Sequence, residues 1–129
     1  MRAIERLILI DDNDDDNVFH SIIIEKTGFK GAVVVFDNGP AALEYLRGAD
    51  LSIPTLVFLD INMPMLDGFE VAQRATPIIK DTRTIVIVML TSSGSPYDRE
   101  RAGALEVIHG FLQKPLTVDN LRELLRAYE

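Results

Sequence analysis

Residues 7–16 read Leu7-Ile8-Leu9-Ile10-Asp11-Asp12-Asn13-Asp14-Asp15-Asp16, an apolar run that stops in five carboxylates within six positions. A short branched-aliphatic run without polar alternation reads as a strand covered on both faces. A strand that stops in acid delivers that acid to one edge of a sheet. Four further apolar runs, at 32–36, 55–59, 84–90 and 108–112, follow the first, most of them rich in Val and Ile. Segments with helical spacing lie between them. Val18, Phe19, Ile22 and Ile23 make one apolar stripe, with Gly28 as its stop. Ala42, Leu43 and Leu46 make a second, capped by Asn38 and ended at Gly48. A third begins after Asp67-Gly68 with Phe69, Val71 and Ala72. Ser95-Pro96 reads as an N-cap followed by proline at the first helical position. Thr117 caps a last stripe of Val118, Leu121, Leu124, Leu125 and Tyr128.

Five strand–helix pairs in strict alternation predict an α/β domain, a parallel sheet with helices on both faces. Right-handed crossovers leave few topologies at this size. The flavodoxin-like (βα)5 three-layer sandwich, with a five-stranded sheet of order 2-1-3-4-5, is the natural choice. It places ligands where the first and third strands diverge.

Composition bounds the function. A chain of 129 residues that is 47% apolar is one domain with a real core. Thirteen basic against 20 acidic residues give a net charge of −7, which repels a polyanion and argues against nucleic acid as partner. The absence of cysteine removes disulfides, thiolate metal sites and cysteine nucleophiles. His20 and His109 are too few for a multi-histidine metal site. No apolar stretch reaches membrane-spanning length and no leader pattern is present, so the expectation is a cytoplasmic protein with no membrane partner.

The polar groups at the strand ends carry the chemistry. Asp11 and Asp12 end the first run, Asp60 the third and Thr91 the fourth, and Lys114 follows the fifth, just before Pro115. In a parallel sheet these ends share one edge, so positions 11, 12, 60, 91 and 114 converge on one crevice. A lone acid at a strand end is ordinarily a solvated loop residue; five polar groups at the same end of four strands are not. Three close carboxylates repel, which raises a pKa unless a cation is bound. Oxygen-only ligands at an open site suit Mg2+. Lys114 supplies fixed positive charge and Thr91 a hydroxyl donor, both fitted to phosphoryl oxygens. A central carboxylate can act as nucleophile and form an acyl phosphate, and Asp60 is the best placed. Asp14, Asp15 and Asp16 read as the acidic first turn of a helix, favoured by its dipole.

Four stretches together resemble the receiver domain of two-component response regulators. They are Leu9-Ile10-Asp11-Asp12-Asn13, Phe58-Leu59-Asp60-Ile61-Asn62-Met63-Pro64-Met65-Leu66-Asp67-Gly68, Met89-Leu90-Thr91-Ser92 and Phe111-Leu112-Gln113-Lys114-Pro115. The resemblance covers essentially the whole chain. It implies that Asp60 accepts a phosphoryl group from a histidine kinase or histidine phosphotransfer protein. It implies that Asp12 and Asp60 bind Mg2+ directly, Asp11 through water, and the Asn62 backbone carbonyl completes the protein ligands. Lys114 would contact the phosphoryl group, and Thr91 would move to bond it while Phe111 changes rotamer. The Lys114–Pro115 bond would be cis. The chain would then be a stand-alone receiver over 1–129 with no output domain, a monomer or weak homodimer. It would act on a separate target protein or relay phosphate. The segment 104–111 is a few residues longer than the usual pattern, so family habits at the fourth helix transfer least.

Two other readings use the same residues. One is a receiver-like interaction module that is never phosphorylated. The other is a haloacid-dehalogenase-type phosphohydrolase. That family has its nucleophile after the first strand with an acid two residues on, whereas here Asp60 follows the third run and position 62 is Asn.

Overall fold

A computed structural model describes residues 3–128. The chain alternates β1 (Arg6–Ile10), α1 (Asp14–Lys26), β2 (Ala32–Phe36), α2 (Gly39–Gly48), β3 (Thr55–Leu59), α3 (Gly68–Ile79), β4 (Ile85–Thr91), α4 (Pro96–Gly103), β5 (Ile108–Gln113) and α5 (Val118–Ala127). The five strands form one parallel sheet of order β2-β1-β3-β4-β5. This is the flavodoxin-like arrangement that the alternation predicts.

Successive strand residues point to opposite faces, which splits the core in two. Ile8, Ile10, Val57, Leu59, Ile87 and Met89 pack with Leu43, Leu46, Phe69 and Ala72 of α2 and α3. Leu7, Leu9, Leu56, Phe58, Val86, Val88 and Leu90 pack with Ile23, Ile24 and Leu121 of α1 and α5. The caps read at Asn38, Ser95 and Thr117 are in place, and Asp67 adds a fourth. The side chains of Asn38, Asp67, Ser95 and Thr117 each accept the backbone N–H three residues on. At Asp67 the bond is reciprocal, because Glu70 accepts the Asp67 N–H in turn.

Three features depart from the sequence reading. Only β1, β3 and β4 are buried throughout; β2 and β5, at the sheet edges, are partly open. In α1 the inward face is Asn17, His20, Ile23 and Ile24, while Val18, Phe19 and Ile22 lie exposed. The apolar stripe read across Val18, Phe19 and Ile22 is therefore the outer face of the helix. The long segment before Phe111 is taken up in two ways. A turn follows the eight-residue α4, with Leu105 N–H donating to Ala102 C=O and Ile108 N–H to Leu105 C=O. A bulge then sets His109 aside, since Ile87 pairs with Ile108 but Val88 with Gly110. His109 Nδ1 accepts the Ile87 N–H at 3.3 Å, which ties the bulge down.

Candidate phosphoacceptor site

Strand register assembles the site. Ile10 lies opposite Leu59, so the next residues of the two strands, Asp11 and Asp60, leave the sheet side by side. Asp60 N–H donates to Ile10 C=O at 2.9 Å and Asp11 N–H to Phe36 C=O at 3.1 Å. Thr91 lies opposite Gln113, and Lys114 N–H donates to Thr91 C=O at 2.8 Å. The Lys114–Pro115 peptide bond is cis.

One oxygen each from Asp11, Asp12 and Asp60 falls within 4.8 Å of the others. Asp11 and Asp60 are buried and Asp12 is exposed, so the cluster opens to solvent on one side. Lys114 Nζ lies 2.6 Å from Asp11 Oδ2, 2.7 Å from Asp16 Oδ2 and 3.6 Å from Asp60 Oδ1. Burial and the neighbouring Asp11 charge push the Asp60 carboxyl up to about 6, with Lys114 pulling the other way. Burial opposes the Lys114 charge, but its bonds to Asp11 and Asp16 outweigh this and raise its pKa. The donor set is therefore all oxygen, anionic and partly open, with a carboxyl that gains from a nearby cation. These residues fit Mg2+.

The loop after Asp60 is drawn tightly over it. Gly68 N–H donates to Ile61 C=O at 2.7 Å. A Cβ at Gly68 would lie 2.2 Å from the Asp60 carbonyl oxygen, so no other residue allows α3 to start this close to the site. Met65 takes up the turn with a φ of 68°, uncommon outside glycine. Asn62 sits exposed at the start of this loop, two residues past Asp60.

The remaining predicted residues lie on β4 and β5. Thr91 is fully buried, and its hydroxyl accepts the Ser93 N–H at 3.2 Å. Ser93 Oγ donates to Asp98 in the first turn of α4 at 2.7 Å, so a chain of bonds leads from Thr91 to that helix. Phe111 pairs in register with Met89, and the Arg99 guanidinium of α4 lies over its ring at 4.7 Å.

Three residues of α1 belong to the site although their spacing gave no sign of it. Asp16, read as a helix-opening acid, reaches Lys114. Asn17 Nδ2 donates to Asp11 C=O at 2.8 Å. His20 Nε2 accepts the Leu116 N–H at 3.4 Å and so holds the turn that carries Lys114. Burial and then the Lys114 charge lower the His20 pKa, which keeps the ring neutral and able to accept. Asn13 caps α1 by accepting the Asp16 N–H at 3.0 Å. Asp14 and Asp15 remain exposed in the first turn, as read from the sequence.

The comparisons with known proteins agree with this geometry. Residues 7–126 match the response regulator receiver domain family. The chain is 34% identical to the probable methanogenesis regulatory protein FilR2 of Methanothrix harundinacea, over 90% of this chain and 76% of that one. It is 33% identical to the response regulator receiver protein CpdR of Brucella abortus, over 97% of this chain and 94% of that one. The crystal structure of a two-component response regulator from Cytophaga hutchinsonii superposes with a TM-score of 0.88 at 28% identity, covering 98% of each chain. No helix among the described residues is long and apolar enough to cross a membrane. This chain belongs to the response regulator receiver domains of two-component signalling, a family of phosphoacceptor signalling domains.

Proposed function

We propose that Asp60 is the phosphoacceptor of this domain and that Asp11, Asp12, Asp60 and the Asn62 carbonyl hold Mg2+ for the transfer. The observation that carries this reading is the meeting of Asp60, two further acids and Lys114 at one edge of the sheet. An Asp60 oxygen attacks the phosphorus of a phosphohistidine on a kinase or phosphotransfer protein. The O–P bond forms as the P–N bond breaks, and the imidazole nitrogen leaves with the bonding pair. Bound Mg2+ supplies charge neutralisation for the phosphoryl oxygens.

The chain's own residues do the rest. Asp11 and Asp16 hold Lys114 at the site, where its ammonium can turn to a phosphoryl oxygen. A pKa of about 6 leaves Asp60 mostly ionised at neutral pH, as a nucleophile must be. Thr91 couples the event to α4. Turning its hydroxyl toward a new phosphoryl group releases the Ser93 N–H and with it the link to Asp98. The two conformations so defined differ around α4 and β5, where Phe111 and Arg99 pack, and a separate target protein reads that difference.

Incubation with acetyl phosphate tests the assignment. One hydroxylamine-sensitive phosphoryl group should accumulate per chain with Mg2+ and fail to accumulate after chelation. Labelling that is indifferent to chelation would remove the metal from the mechanism.

A further inference from the structure

We propose that the open β2 edge is a self-association surface, where two copies of this chain join their β2 strands antiparallel into one continuous sheet. β2 bonds to β1 alone. Ala32 N–H donates to Glu5 C=O, and Phe36 C=O accepts from Asp11 N–H. Residues 32, 34 and 36 thus turn their backbone groups inward, and Val33 and Val35 turn theirs out. An edge of this kind is usually blunted by a lysine, a proline or a bulge. The strand Ala32–Phe36 reads AVVVF and has none of these.

Apolar side chains lie exposed beside that edge. Val33 and Val35 are 41% and 45% exposed, and the outer residues of α1, Val18 and Ile22, are 60% and 45% exposed. An open groove between α1 and β2 is lined by Val18, Val35 and Phe36, with Asp14 and Asp37 at one end. Apolar surface gathered this way marks a contact site.

The charges select the occupant and its direction. Lys30 precedes β2 and Lys26 ends α1, whereas Asp37 follows β2 and Asp14 opens α1. Exposed Glu5 and Glu25 flank the two lysines, so the charge step that matters runs along β2 itself, from Lys30 before the strand to Asp37 after it. An antiparallel second copy brings the Lys30 end of each β2 to the Asp37 end of its partner, twice by symmetry, with Gly31 facing Asp37 and Lys30 one place further on, and a parallel one sets like against like. The two-fold axis passes through Val34, so that Val33 of each copy faces Val35 of the other. All four outward N–H and C=O pairs are then satisfied, and the apolar faces of both α1 helices lie on the same side of the seam.

Sedimentation velocity of the full chain over a concentration series up to the millimolar range tests this. The expected result is a concentration-dependent dimer that Val33→Lys abolishes. Lys30→Glu or Asp37→Lys alone should weaken it by roughly three- to tenfold, and the double exchange should restore it. Val34→Cys adds a positional test, since the chain has no other cysteine. Facing residues at such a position lie about 4.5 Å apart at Cα, within disulfide reach, so mild oxidation should link two copies. A chain that stays monomeric throughout, or a dimer unchanged by Val33→Lys, overturns the proposal. A wild-type dimer whose Val34→Cys form does not cross-link overturns the register.

Discussion

The centre of the sheet and its β5 flank hold the same site by different means. β1, β3 and β4 are wholly buried, and they carry Asp11, Asp60 and Thr91 directly at their ends. Lys114 comes from β5, a partly exposed edge strand with a bulge, and α4 beside it is only eight residues long. On the central side, position is fixed by close packing and strand register. On the β5 side it is fixed by hydrogen bonds and charge: Lys114 to Asp11 and Asp16, His20 to Leu116, Arg99 over Phe111. Close-packed cores resist displacement, whereas exchangeable polar contacts can be re-made. The proposed nucleophile, Asp60, thus sits on the stiff part of the molecule, and the elements that would report its state sit on the yielding part.

The largest expected effects lie at the centre. Phe58→Ala, at a fully buried ring, should cost about 3–5 kcal/mol in chemical denaturation, against about 1–2 for Phe111→Ala on the half-buried flank. Equal losses would dissolve the contrast. Gly68→Ala should rank with the central set, because its methyl has nowhere to go but the Asp60 backbone.

Lys114→Ala comes next, with an expected loss of about 2–3 kcal/mol without metal, since it strands the buried Asp11 and Asp60 charges. Mg2+ should recover part of that loss, and thermal melts with and without the ion would show it. Asp16→Asn should cost less, because Asp16 is more exposed than Asp11 and its partner keeps a second bond.

The pH dependence of Asp60→Asn gives a smaller, signed effect. The folded protein holds the Asp60 proton more tightly than the unfolded chain, so ionisation there opposes folding. That cost is absent below the ordinary 3.8 and complete above about 6. Without metal, Asp60→Asn should therefore be more stable than the wild type by about 1 kcal/mol above pH 6, with the gap closing toward pH 4. A gap that widens on acidification would reverse the sign of the electrostatics. Smallest of all, Arg99→Ala should cost well under 1 kcal/mol, a partly solvated contact over an aromatic face.

Most of the fold is legible in the chain because its signals are local. The apolar runs, the caps at Asn38, Ser95 and Thr117 and the strand-end acids each occupy a few consecutive residues. What escaped reading is the inner face of α1. Periodicity counts apolar side chains, so Val18, Phe19 and Ile22 look like the core face. The helix in fact turns Asn17 and His20 inward, because Asp11 C=O and the Leu116 N–H need polar partners there. The Asp16–Lys114 pair joins residues 98 positions apart, and no local pattern announces such a bond. The exposed valines of β2 escaped for a related reason: a run of branched residues looks the same at an edge as at the centre until its neighbours are known.

The central claim is that Asp60 is the residue phosphorylated. Wild-type protein and Asp60→Asn, treated with acetyl phosphate and Mg2+ and followed by intact-mass measurement and borohydride trapping, test it most directly. One added phosphoryl group in the wild type, trapped at position 60, and none in the variant is the result predicted here. Equal labelling of both proteins, or a trapped residue elsewhere in the chain, would contradict it.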